Sequence, residues 1–131
     1  MEHFSTEIDK LRIRRVIENL MRNAVEAMPL KGILTFRTRK EGELMVFEVE
    51  DTGLGISKDR LGTLFKPFQT TKETGTGLGL TYCKNTIEEH HGQIEVKSKV
   101  GSGTTFIIKI PIKKPVTEKD IPAAIPLANH K

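Results

Sequence analysis

Asn19 and Asn23 stand four residues apart, with Glu26 three further on, so all three share one face of any helix that contains them. Asparagine is a mediocre helix former. Two of them inside a helical stretch imply a ligand or a polar network alongside. A side-chain amide oxygen is a hard donor suited to Mg²⁺, which keeps several waters and also takes phosphate oxygens. Taken alone, the trio reads equally well as a solvated polar face. Glycines form a second group: Asp51-Thr52-Gly53-Leu54-Gly55, Gly75-Thr76-Gly77-Leu78-Gly79-Leu80, and Gly101-Ser102-Gly103. Alternating glycines let the main chain take positive φ and approach a ligand closely. The 75–80 cluster runs into a helical pattern, and the amides and dipole of a helix start attract anions, phosphate foremost. Any single glycine pair is most simply a tight turn. The sequence has no Gly-x-x-x-x-Gly-Lys-Ser/Thr, and no Gly-x-Gly-x-x-Gly after a strand, so by motif it is neither a P-loop nor a dinucleotide-binding chain.

The elements that must position these residues are legible as patterns. Residues 9–28 read as a helix with Asp9 as N-cap, and Ile13, Ile17, Leu20, Ala24 and Met28 mark its core face. Pro29 and Gly32 end it. Residues 33–39 and 44–50 alternate as hairpin strands around Gly42. Residues 51–77 hold five glycines and a proline, with only a short helix near Asp59–Leu64. A loop of that length inside a compact domain is usually a functional lid or disordered, and the lid here would span about 57–77. Residues 78–90 form a second long helix with Gly92 as C-cap. Two further strands, 93–98 and 104–110, are joined by Val100-Gly101-Ser102-Gly103. The expected fold is α+β, a two-layer sandwich with helices covering one face of a mixed sheet. Residues 1–112 form the domain. Residues 113–131, with Pro115, Pro122 and Pro126 and no period, read as a flexible tail.

Composition sets outer limits. The chain has 131 residues, enough for one domain with a real core, and it is 37% hydrophobic and 29% charged. Cys83 is the sole cysteine, which rules out an internal disulfide or a thiolate zinc cluster and suits a cytoplasmic location. No run is long and apolar enough for a bilayer, so the segment is expected not to contact a membrane, although a longer parent protein can be anchored. The formal charge is +4, but the lysines are scattered and there is one Tyr and no Trp. No nucleic-acid partner is expected.

The motifs gain meaning as an ordered set. Asn19-Leu20-Met21-Arg22-Asn23-Ala24, Asp51-Thr52-Gly53-Leu54-Gly55-Ile56, Leu64-Phe65-Lys66-Pro67-Phe68, Gly75-Thr76-Gly77-Leu78-Gly79-Leu80 and Gly101-Ser102-Gly103-Thr104 follow one another. This series resembles the asparagine, glycine and phenylalanine boxes of the catalytic ATP-binding domain of sensor histidine kinases, in the GHKL superfamily. It covers roughly residues 9–112. His91-Gly92-Gln93-Ile94 and Ile110-Pro111 are similar to the family as well. Phe68-Gln69-Thr70-Thr71-Lys72 and the Asn-Ala-x-Glu-Ala pattern at 23–27 resemble the nitrogen-regulation type.

The resemblance implies an ATP site with Mg²⁺ under a mobile lid. Asn23 would coordinate Mg²⁺, with Asn19 supporting and Glu26 on the same face. Asp51 would accept a hydrogen bond from the adenine amino group. Guanine presents a carbonyl there, so it would be rejected. Gly53, Gly55 and Ile56 would lie along the base, and Thr104 beside Asp51. Gly75, Thr76, Gly77, Leu78, Gly79 and Leu80 would cover the phosphates. Phe65 and Phe68 would anchor the lid, or simply pack in the core. Kinases of this kind often carry a lysine shortly after the magnesium asparagine. Val25-Glu26-Ala27 supplies none, leaving Lys72, or secondarily Lys66, for the phosphates.

The same resemblance extends to gyrase-type ATPases, which hydrolyse ATP with a glutamate one helical turn before that asparagine. Asn19 occupies the position here and cannot act as a general base. None of His3, His90, His91 and His130 sits in a phosphoacceptor helix. The implied partners are a separate dimerisation and phosphoacceptor domain and, downstream, a response regulator. The isolated domain is expected to be a monomer that binds ATP without phosphorylating itself. An ATP-driven clamp and a nucleotide-free adaptor are the alternatives.

Overall fold

The apolar stripe of the first helix decides how the layers meet. The computed structural model describes residues 9–67 and 79–112. Helix α1 spans Lys10–Glu26 and buries Ile13, Val16, Leu20 and Ala24. Ile17, expected on this face, lies at its margin, and Val16 is fully buried instead. Asp9 caps the helix as anticipated. Its backbone is extended, and its carboxylate accepts from the Arg12 N–H at 3.2 Å.

Strands β1 (Leu34–Glu41) and β2 (Leu44–Asp51) form the first hairpin, and β3 (Gln93–Lys99) and β4 (Gly103–Pro111) the second. The short helix α2 (Lys58–Leu61) and the helix α3 (Gly79–Glu89) lie between the hairpins. The sheet order is β1-β2-β4-β3. Every pairing among the described residues is antiparallel, so the sheet is not mixed as expected. The crossover through the helices does bring β3 parallel to β2, but β4 folds back between them and removes any parallel neighbours.

Period-two alternation divides the sheet into two faces. Phe47, Val49, Phe106, Ile108 and Ile110 join Leu20 and Ile87 of the helices in one core. On the outer face, Arg37 pairs with Glu48 and Glu50, Arg39 with Glu48, and Lys109 with Glu95. Val46 and Ile107 are buried on this face, where long charged side chains cover apolar surface with their stems. Such surface ion pairs contribute little individually.

The two helices are also joined by polar contacts. Arg12 bonds Glu89 and donates to Thr86 Oγ1 at 3.2 Å, while the Asp9 N–H donates to His90 Nε2 at 3.0 Å. Cys83 is fully buried, and burial pushes its thiol up to about 12. It is an inert core residue.

The end of α3 departs from expectation. Its left-handed residue is His91, with φ 62°, and not Gly92. The Gly92 N–H bonds Ile87 O and the His91 N–H bonds Glu88 O, both at 2.9 Å, which is a Schellman closure. Gly92 is glycine for a steric reason, since a Cβ there would meet Lys109 O at 2.3 Å.

Candidate functional site

The strand register places Asp51 opposite Thr104, and Thr104 opposite Ser98. These three polar residues form a row across β2, β4 and β3. By alternation the row lies on the helix-facing side, directly beyond the apolar row of Val49, Phe106 and Val96. Asp51 is only 4% exposed. The backbone N–H of Gly53 donates to its carboxylate at 2.8 Å, and the nearby Thr104 amide also favours its charged form. Desolvation nevertheless dominates and holds its pKa above the ordinary 3.8, with the two amides opposing and Glu50 adding to the rise.

The loop after Asp51 is stitched to its neighbours. Leu54 N–H bonds Ala27 O at 3.0 Å at the end of α1, and Leu54 O accepts from Gly101 N–H at 2.9 Å. Ile56 N–H donates to Ser98 Oγ at 2.8 Å. Gly53 and Gly55 serve this stitching. A Cβ on Gly53 would meet Ala27 O at 2.3 Å, and one on Gly55, at φ +77°, would meet Lys99 O at 2.2 Å. The glycines anticipated as a close approach to a ligand thus let the chain approach itself, and they form the floor beside Asp51.

The flank of α1 carries the asparagines. Asn19 Nδ2 donates to Arg15 O at 2.9 Å, one turn back. That bond fixes the amide, so Oδ1 points towards the start of α3, where a Cβ on Gly79 would lie 3.0 Å from it. Asn23 is half-buried on the same flank. One turn further, Ala27 N–H bonds Asn23 O at 3.0 Å, and Ala27 O reaches the loop after Asp51. The polar flank of α1 therefore runs from the first turn of α3, with Gly79 and Leu80, to the Asp51 loop. Glu26 is exposed.

Lys72, Gly75, Thr76, Gly77, Leu78 and Phe68 lie outside the described residues. Of the expected lid, α2 and the turn after it are described. Phe65 packs edge-on against Phe106, with ring centroids 6.4 Å apart, and Leu64 is buried, so this stretch belongs to the core. Lys66 is exposed. Glu18 is exposed and paired with Arg14 at 3.0 Å.

Residues 8–114 match the family model described as histidine kinase-, DNA gyrase B- and HSP90-like ATPase. The chain belongs to this family. Within it, the chain is a catalytic, ATP-binding domain of the sensor histidine kinase type. It is 38% identical over 105 residues to sporulation kinase C of Bacillus subtilis, covering 80% of this chain and 24% of the kinase. It is also 38% identical over 114 residues to the sensor histidine kinase ZraS of Escherichia coli, covering 87% of this chain and 24% of ZraS. The chain thus spans about a quarter of these relatives. Among solved structures, the catalytic domain of the histidine kinase ThkA, in a nucleotide-free form, superposes with TM-score 0.73 and 36% identity, covering 81% of this chain and 70% of that one. Full-length ShkA in complex with AMPPNP superposes with TM-score 0.68 and 28% identity, covering 81% and 22%. No helix among the described residues of this histidine-kinase-type domain is long and apolar enough to cross a membrane.

Proposed function

We propose that the domain binds Mg-ATP between the asparagine flank of α1, the Asp51 loop and the start of α3. We further propose that it delivers the γ-phosphate to a histidine on a separate dimerisation and phosphoacceptor domain, from which it passes to an aspartate of a response regulator. The observation that carries this reading is the polar row of buried Asp51 and Thr104 and half-buried Ser98 at the edge of an apolar core, facing the same side as the asparagines. Beyond the Gly53 N–H that it accepts, this buried carboxylate keeps acceptor capacity, which a donor such as the adenine amino group would satisfy.

The residues present fit the nucleotide. Asp51 would take the amino group, with Gly53, Gly55 and Ile56 along the base and Thr104 beside it. The oriented amide oxygen of Asn19 and that of Asn23 would face the metal and phosphates, with Asn23 as the Mg²⁺ ligand. The first turn of α3, Gly79 and Leu80, would contribute amides to the phosphates. From the stretch outside the described residues, Gly75, Thr76, Gly77 and Leu78 would cover the phosphates and Lys72 would neutralise their charge. Mg²⁺ when bound screens phosphate charge and orients the γ-phosphoryl group. Likeness to ShkA, whose structure contains AMPPNP, supports the same class of ligand.

A gyrase-type hydrolytic clamp is the second reading. The ion pair of Glu18 with Arg14 at 3.0 Å turns the nearest glutamate to solvent and counts against water activation. Calorimetric titration tests the proposal. We expect Mg-ATP to bind, removal of Mg²⁺ to weaken binding, and GTP to bind at least 100-fold more weakly, a discrimination on the order expected of a buried hydrogen-bonding site. Equal affinity for ATP and GTP, or no binding, would overturn it.

A further inference from the structure

Ser98 belongs to none of the glycine or asparagine motifs, yet it joins three parts of the site. Its Oγ lies 2.8 Å from the Ile56 nitrogen, 2.9 Å from Gly103 O and 2.7 Å from Thr104 Oγ1. We propose that Ser98 is a positioning residue that sets base selectivity through Thr104, an inference that rests on the nucleotide reading above.

The directions of the hydrogen bonds follow from the atoms involved. An amide N–H only donates, so Ile56 gives its proton to Ser98. A carbonyl only accepts, so the single hydroxyl proton of Ser98 goes to Gly103 O. A hydroxyl has one proton and two acceptor lone pairs. All three contacts are satisfied together only when Thr104 donates to Ser98. The Thr104 proton is then committed away from Asp51, and its oxygen is left with acceptor character. Asp51, when ionised, also only accepts. Ser98 thereby makes this end of the row an acceptor surface, which matches an amino group and opposes a carbonyl. Through Ile56 N–H the same oxygen pins the loop that would lie along the base.

Removing the hydroxyl has a specific consequence. In Ser98→Ala, the Thr104 proton is free to turn towards the ligand and Ile56 N–H loses its acceptor. We expect the affinity for Mg-ATP to fall about tenfold, the size associated with one lost buried hydrogen bond. The affinity for Mg-GTP should stay level or rise, so the ATP-to-GTP ratio contracts. A purely structural role would lower both affinities together. In a Thr104→Val background, which has no hydroxyl proton to direct, adding Ser98→Ala should leave the ratio unchanged, because the effect runs through Thr104.

The experiment is calorimetry with both nucleotides on the full chain and the three variants, well below their melting temperatures. A parent that prefers ATP, a Ser98→Ala variant with a contracted ratio, and no further contraction in the double variant support the proposal. A parent that prefers ATP with a Ser98→Ala variant that keeps the full ratio overturns this inference alone. So does an equal contraction on both backgrounds. A parent without preference overturns the nucleotide reading and this inference with it.

Discussion

Asp51→Asn is expected to weaken Mg-ATP binding on the order of 100-fold, because hydrogen bonds to a charged group contribute about 1.5–3 kcal/mol each. The amide supplies one acceptor oxygen where the carboxylate supplies two. Gly53 N–H already donates to this group in the protein. With one oxygen left, the adenine amino group must compete with that amide, while the new NH₂ faces a donor.

The same carboxylate gives the binding a pH dependence whose sign is fixed. Burial raises the Asp51 pKa above 3.8, so the folded protein holds this proton to higher pH than the unfolded chain does. Its contribution to stability is therefore fully present below the unfolded value and is lost as pH rises through the folded one. At neutral pH the ionised group is a cost that a bound amino group offsets. ATP affinity of the parent should consequently fall as pH drops through the raised Asp51 value. Asp51→Asn should lack that component, and calorimetry over a mildly acidic range compares the two. A variant that binds ATP like the parent across this range would remove Asp51 from the site.

Gly103→Ala should be strongly destabilising, because it puts a Cβ against the backbone of the strand that carries Asp51. Gly103 sits at φ +103°, and an added Cβ would lie 2.1 Å from Asp51 O and 3.0 Å from Thr52 Cα. These are backbone atoms of the adjacent strand, which cannot swing aside as a flexible side chain would. We expect a stability loss of about 3 kcal/mol or more from strain and clash combined, seen as a melting temperature lower by on the order of 10–20 °C. Gly101→Ala is the internal comparison. Its φ is +86°, but a Cβ there would meet nothing within 4 Å. It should lose only the cost of the left-handed conformation, about 1 kcal/mol. Equal losses at both positions would show that backbone conformation alone, and not the contact with β2, sets the requirement for glycine.

Much of this architecture is legible in the chain because it is written in local periodicity. The spacing of Ile13, Leu20 and Ala24 announces α1, and the alternation in 44–50 and 104–110 announces the central strands. Strand order is not local, which is why the sheet was expected to be mixed. Nothing in the period of β3 tells that β4 will lie between it and β2. The end of α3 differs from its local pattern for a related reason. Gly92 offers the usual closing residue, but its absent side chain is required by Lys109 O across the sheet, and His91 takes the left-handed turn. At the candidate site, the asparagines and Asp51 stand out because polar residues interrupt apolar patterns. Ser98 interrupts one as well, following Ile94 and Val96 on the core face of β3. The interruption gains meaning only once the register sets it opposite Thr104.

The most direct test of the central claim is a ¹H–¹⁵N NMR titration of the full chain with Mg-ATP. We expect the backbone amides of Gly53, Gly55, Ile56, Thr104, Gly79 and Leu80 and the side-chain amides of Asn19 and Asn23 to shift together with one dissociation constant. Arg39, Glu48 and Lys109 on the outer face should stay in place. Saturating nucleotide that moves the outer face, or that leaves the Asp51 loop and the asparagines unperturbed, would contradict it.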